Sequence, residues 1–137
     1  MPIYAILIGM KTTNHAVSDI NYHFVFCPKY RRSVLTGQVG DRLVELLPEL
    51  LPGLGGQMIE LVVRPDHVHL FASFGPDMAP KQIMHRLKGA TSRILRTEFP
   101  KLRSRLPCLW THAYYCGTAG NVSSETIRKY IDAQAGR

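Results

Sequence analysis

Along most of this chain, apolar residues either alternate with polar ones or recur every three or four positions, and these two rhythms divide it into elements. Asp19 to Cys27 (Asp-Ile-Asn-Tyr-His-Phe-Val-Phe-Cys) is rich in aromatic and β-branched residues and predicts a central strand, ended by Pro28. From Thr36 to about Leu51, Val39, Leu43, Leu46, Leu47 and Leu50 form one helical stripe, and Pro48 is expected to kink or end that helix near Leu47. After a loop at Gly53-Leu54-Gly55-Gly56, Gln57 to Val63 predicts a second strand. A tight turn at Pro65-Asp66 joins it to a third strand, closed by Gly75-Pro76. Pro80 to about Phe99 predicts a second helix with Ile83, Leu87, Ala90 and Ile94 buried, followed by a basic loop holding Lys101, Arg103 and Arg105. Leu109 to Gly117 predicts the fourth strand, and Thr118 to Asn121 a loop and hinge. Ser123 is an N-cap candidate with Glu125 in the first turn, and the last helix is expected from Ser124 to about Ala135, within residues 122–135.

The order is strand, helix, strand, strand, helix, strand, helix. Its first six elements follow the split βαββαβ pattern. The expected fold is α+β and ferredoxin-like: a four-stranded antiparallel sheet, helices over one face, and an extra C-terminal helix. With 137 residues and 45% hydrophobic content, the chain is expected to be a single domain over residues 1–137. Residues 1–9 are apolar without a basic flank and are expected to be a leader or an added strand. No apolar stretch is long enough to span a bilayer. Three scattered cysteines argue against a disulfide framework and suit a reducing cytoplasm.

Charge narrows the choice of partner. Seventeen Lys and Arg against ten Asp and Glu give a net charge of +7, which favours a polyanion through counterion release. Lys29-Tyr30-Arg31-Arg32 places an aromatic ring within a cationic run, which suits phosphate contact with base stacking and equally suits a solvated strand exit. Lys81, His85, Lys88, Ser92 and Arg96 share one helix face, either a solvated surface or a track for a DNA backbone. Trp110, Tyr114 and Tyr115 are expected to pack rather than stack on bases.

The densest chemistry lies in Arg64-Pro65-Asp66-His67-Val68-His69-Leu70-Phe71-Ala72. On a strand, His67, His69 and Phe71 share one face and Val68, Leu70 and Ala72 the other. Two imidazoles one residue apart can converge on a divalent ion, although a lone His-x-His is more often two polar positions on an open sheet face. On the last helix Ile127, Tyr130, Ile131 and Gln134 fall within an arc of about 100°, and Arg128, Lys129 and Asp132 face away. A glutamine in a docking stripe needs partners for its amide. Two neutral imidazoles and that amide carbonyl would suit Mg²⁺ or Mn²⁺, with zinc also compatible. A phenol with an ordinary pKa near 10 needs a nearby cation or base to act as a nucleophile.

These residues resemble the single-tyrosine HUH transposases of small bacterial and archaeal insertion sequences. The resemblance runs from about Tyr22 to Gln134. It is carried by Tyr22-His23-Phe24-Val25-Phe26, Pro28-Lys29-Tyr30-Arg31-Arg32, Pro65-Asp66-His67-Val68-His69-Leu70, Leu87-Lys88-Gly89-Ala90-Thr91-Ser92, Phe99-Pro100, Leu109-Trp110 and Tyr130-Ile131-Asp132-Ala133-Gln134. It implies that His67, His69 and Gln134 are metal ligands, that Tyr130 is the nucleophile, and that the protein is a homodimer with active sites assembled in cis or in trans. It further implies that single-stranded DNA with hairpin ends is cleaved and rejoined through a covalent 5′-phosphotyrosine link. The alternatives are a domesticated relative acting on genomic repeat palindromes, a non-catalytic single-stranded nucleic-acid binder, and a metal hydrolase using His67, His69 and Asp66.

Overall fold

In the computed structural model the described residues are 11–12, 17–18, 20–118 and 124–135, with side chains described for 20–118 and 128–135. A short antiparallel pair, β1 (Lys11–Thr12) and β2 (Val17–Ser18), precedes the main sheet; no sequence signal pointed to it. The expected leader at residues 1–9, the loop beyond Thr118 and the Ser123 cap lie outside the described residues.

The main sheet contains β3 (Ile20–Phe26), β4 (Gly56–Arg64), β5 (His67–Phe74) and β6 (Tyr115–Thr118). Their order is β4-β5-β3-β6 with every pair antiparallel, the arrangement expected of a split βαββαβ fold. At the end of β3, Phe24, Val25 and Phe26, with Cys27 just after it, are fully enclosed. One face of the sheet, with Phe24, Phe26, Val68, Leu70 and Phe74, forms the core with two long helices, α1 (Gly37–Leu50) and α2 (Pro80–Glu98). The Pro65-Asp66 turn is present, and the strand it feeds is anchored on its apolar side.

Four expectations are corrected. Pro48 does not end α1, which continues to Leu50 before a 3₁₀ turn at Leu51–Leu54. Proline withholds its bond from the Val44 carbonyl, but Val44 lies on the solvent side, 48% exposed, where water can take that acceptor. The buried stripe of α2 is Ile83, Met84, Leu87, Thr91 and Leu95; Ala90 and Ile94 sit at its margin. Lys101–Arg105, expected as a loop, forms a short helix, α3. The fourth strand is only Tyr115–Thr118, preceded by a single bridge between Trp110 and Pro28. The carbonyls of Thr111, His112 and Ala113 are taken by Lys88 Nζ, at 2.5, 3.2 and 3.3 Å, rather than by a neighbouring strand.

Trp110 packs as expected. Its ring meets Phe26 edge-on, and its indole N–H donates to Thr91 Oγ1 at 3.0 Å. Within β4 the register shifts between Met58 and Glu60, and Ile59 is turned outward, 49% exposed.

Candidate active site

The face of the sheet opposite the core carries the chemistry. Register pairs Val25 with His69 and His23 with Phe71, so His23, Val25, His69 and Phe71 share this face with His67. The helix with the tyrosine, α4 (Ser124–Ala133), packs against β3 on the same molecule. Tyr130 and Ile131 are half-buried and Gln134 is buried, 3% exposed; Ile127 lies outside the described side chains.

A run of charged contacts ties this helix to the histidine turn. Arg31 Nη1 lies 3.2 Å from Asp132 Oδ1, Arg31 Nε lies 3.4 Å from Asp66 Oδ2, and Asp66 Oδ1 lies 2.9 Å from His67 Nδ1. Arg31 Nη1 also donates to the Ile131 carbonyl at 3.5 Å. Asp132, expected to face away, therefore takes part in holding the helix. Arg31 reaches this position from a turn in which Tyr30 and Arg31 both have positive φ, 59° and 51°. For non-glycine residues that is a strained backbone.

The Tyr130 hydroxyl donates to the Ala113 carbonyl at 3.0 Å, where Thr111 Oγ1, at 3.1 Å, and Lys88 Nζ, at 3.3 Å, also converge. Burial, with the Cys27 thiol beside it, raises the pKa of the Tyr130 phenol above its ordinary value, and a hydrogen bond from the Thr111 side chain offsets this only in part. Burial pushes the Cys27 thiol itself up to about 12. Burial pushes the Lys88 ammonium down to about 8. In this arrangement the phenol is a neutral donor, and forming phenolate requires a nearby cation or a move away from Ala113.

His69 is held below the ordinary imidazole pKa, first by burial and then by His23, so it is neutral at neutral pH. The Gln134 amide nitrogen donates to the Tyr130 carbonyl at 3.2 Å, while its buried Oε1 has no hydrogen-bond partner. Among the described residues no three His, Cys, Asp or Glu side chains gather to hold a metal. The orphaned Oε1 of Gln134 is an acceptor that a cation would satisfy.

The expected DNA contacts divide. Arg31 is committed to carboxylates, whereas Arg32 and Tyr30, 41% exposed, are open to solvent, and half-buried Lys29 places its ammonium 5.2 Å from the Tyr30 ring centre. Arg96 donates to the Pro107 carbonyl at 3.2 Å, and Lys88 is turned onto the 111–113 carbonyls. Lys81, His85, Lys88 and Ser92 line a cleft of about 840 Å³ between α2 and the 108–114 segment, with Trp110 and Tyr114 opposite. That cleft does not include the histidine pair, but Lys88 and Thr111, which line it, share the Ala113 carbonyl with the Tyr130 hydroxyl.

Sequence reasoning passed over His23, Asp66 as a partner of His67, and the Lys88–Ala113 contact. Strand parity could have found His23, since it alternates with Phe24 and Phe26, but its place beside His69 depends on the register between strands.

The sheet and helices have the fold of a DNA transposase, and the relatives define the same class. The model of the family described as "Transposase IS200 like" matches residues 16–134, and the chain belongs to that family. It is 36% identical over 134 residues to the ISDra2 transposase TnpA of Deinococcus radiodurans, covering 96% of each chain. It is 30% identical over 126 residues to the transposase for insertion sequence element IS200 of Salmonella typhimurium, covering 90% of this chain and 82% of that one. Among solved structures, a crystal structure of a Deinococcus radiodurans R1 protein described as a transposase superposes with a TM-score of 0.84. It shares 30% identity and covers 93% of this chain and all of that one. A REP-associated tyrosine transposase bound to a REP hairpin shares the fold, with a TM-score of 0.55 and 14% identity over 88% of this chain and 67% of that one. Among the described residues no helix is long and apolar enough to cross a membrane.

Proposed function

We propose that this transposase, acting as a single domain in the cytoplasm, cleaves and rejoins single-stranded DNA at hairpin-marked ends of an insertion sequence through Tyr130. The observation that carries the proposal is the buried, unpartnered Oε1 of Gln134. It sits four residues beyond Tyr130, in the turn ending a helix laid against the strand next to His67 and His69. His67, His69 and Gln134 would hold a divalent ion, Mg²⁺ or Mn²⁺, which when bound would draw charge from the phosphoryl oxygens. The Tyr130 oxygen attacks phosphorus, the phenol proton leaves, and the bond to the 3′ oxygen breaks. That oxygen takes up a proton, giving a 5′-phosphotyrosine and a free 3′ hydroxyl. The broken ester's energy is kept in the new one, so rejoining needs no nucleotide cofactor. A homodimer suits the reaction, because joining two element ends takes two nucleophiles.

The cleft lined by Lys81, His85, Lys88 and Ser92 is a candidate path for DNA, and the exposed Tyr30 and Arg32 are candidate contacts. A hairpin ligand is supported by the hairpin-bound relative that shares this fold.

The test is adduct formation on a labelled single-stranded hairpin substrate. Wild-type protein with Mg²⁺ or Mn²⁺ is expected to give a covalent protein–DNA species, and EDTA to remove it. Tyr130→Phe is expected to lower adduct yield by at least about 10³-fold, since the attacking oxygen is gone, while hairpin binding persists. Adducts surviving in that variant would place the nucleophile elsewhere.

A further inference from the structure

We propose that His23 is a positioning residue for the histidine pair: it accepts a hydrogen bond from Nε2 of His69 and so fixes Nδ1 as the nitrogen His69 presents. The proposal rests on the reading of His67 and His69 as metal ligands. His23 Nδ1 lies 3.0 Å from His69 Nε2, the separation of a direct hydrogen bond between the rings. The ring of His23 is in turn held by Phe71, stacked on it at 4.0 Å with an interplanar angle of 2°. Since Phe71 is two residues beyond His69 on β5, one strand both carries His69 and fixes the residue that orients it.

Proton counting decides the direction of the bond. A neutral imidazole has one N–H and one lone pair. If His23 donated, His69 would spend its lone pair on Nε2 and carry its own proton on Nδ1, leaving no nitrogen to bind anything. If His69 donates from Nε2, its Nδ1 keeps a lone pair for a ligand. His67 has the complementary arrangement: Asp66 Oδ1 sits 2.9 Å from its Nδ1, which leaves Nε2 to present. The pair is therefore mixed, Nε2 from His67 and Nδ1 from His69. Each outer nitrogen is held by a partner on this chain, as outer hydrogen bonds commonly orient ligating histidines.

The experiment joins two readouts on the full chain. Histidine ¹⁵N spectra of the metal-free protein are expected to show His69 in its Nε2–H form. That population falls toward the tautomer mixture of a free imidazole in His23→Phe, which keeps the stack on Phe71, and is restored in His23→Asn, whose amide oxygen can accept in place of Nδ1. Mn²⁺ titration followed by electron paramagnetic resonance is expected to show affinity falling roughly 10–100-fold in His23→Phe. Recovery is expected in His23→Asn, with hairpin binding unchanged in both variants. An Nδ1–H His69 in wild-type protein overturns the proposal, as does Mn²⁺ affinity unchanged in His23→Phe, or equally weakened in both variants. Wild-type protein that keeps the Nε2–H form yet binds no Mn²⁺ overturns the metal reading itself, and His23 then has no ligand to serve.

Discussion

Three donors meet at the carbonyl of Ala113, and one of them is the hydroxyl that performs the proposed chemistry. Lys88 supplies the fixed charge there, bonding the carbonyls of Thr111, His112 and Ala113 from a site where burial pushes its ammonium down to about 8. The pH consequence has a definite sign. Between about 8 and the ordinary lysine value near 10.5, the unfolded chain holds the Lys88 proton more tightly than the folded one, so stability gains with rising pH across that window. Lys88→Met is expected to lack this gain. Comparing denaturant midpoints of the two proteins at pH 7.5 and pH 10 checks it. At this scale the sequence was informative about identity and silent about attachment. Spacing placed Tyr130 and Gln134 one turn apart, but that the phenol is bonded to Ala113 depends on a segment expected to be strand. A single buried amine keeps it out of the ladder.

The elements show the same division. Periodicity located both long helices and three of the four strands to within a residue or two, because each carries an unbroken apolar face. It failed at 109–114, where Lys88 takes the carbonyls, at Pro48, where water can take the freed one, and in the short helix after Pro100. Gly56 shows how tightly the elements are fitted. A Cβ there would lie 2.5 Å from Cε1 of Phe74, a fully buried ring that cannot withdraw. Gly56→Ala is expected to cost about 1–3 kcal/mol, read from chemical denaturation. The tether between α4 and the histidine turn gives a contrasting case. Arg31→Gly removes the contacts to Asp66 and Asp132, half-exposed pairs worth about 0.2–1 kcal/mol, but relieves a positive φ of similar cost. Global stability is expected to change by less than about 0.5 kcal/mol, since these two effects oppose each other. Hydrogen exchange in residues 124–135 is expected to quicken, and adduct yield to fall.

At the scale of the whole molecule, the basic cleft excludes the histidine pair but reaches the anchor of the tyrosine, since Lys88 lines it and shares the Ala113 carbonyl with Tyr130. In the proposed function the excess of +7 and the cleft beside α2 serve binding, and the histidine face of the sheet serves reaction. Hairpin affinity is therefore expected to fall steeply with salt. Lys81→Gln is expected to flatten the slope of log affinity against log salt by about 0.7–0.9, one phosphate contact's worth. Fluorescence anisotropy at several salt concentrations measures that slope, and adduct yield at saturating DNA is expected to stay unchanged. The fold class was legible from element order alone. The division of labour was not, because it depends on which face of the sheet each basic residue reaches.

The histidines stand on an interior strand, locked between neighbours on either side. A slip of one residue would send both imidazoles into the oily interior and bring Val68 and Leu70 out in their stead. Fraying at the margins of the sheet thus leaves the anvil undisturbed. The proposed nucleophile rides on a separate element, joined to that anvil through Arg31.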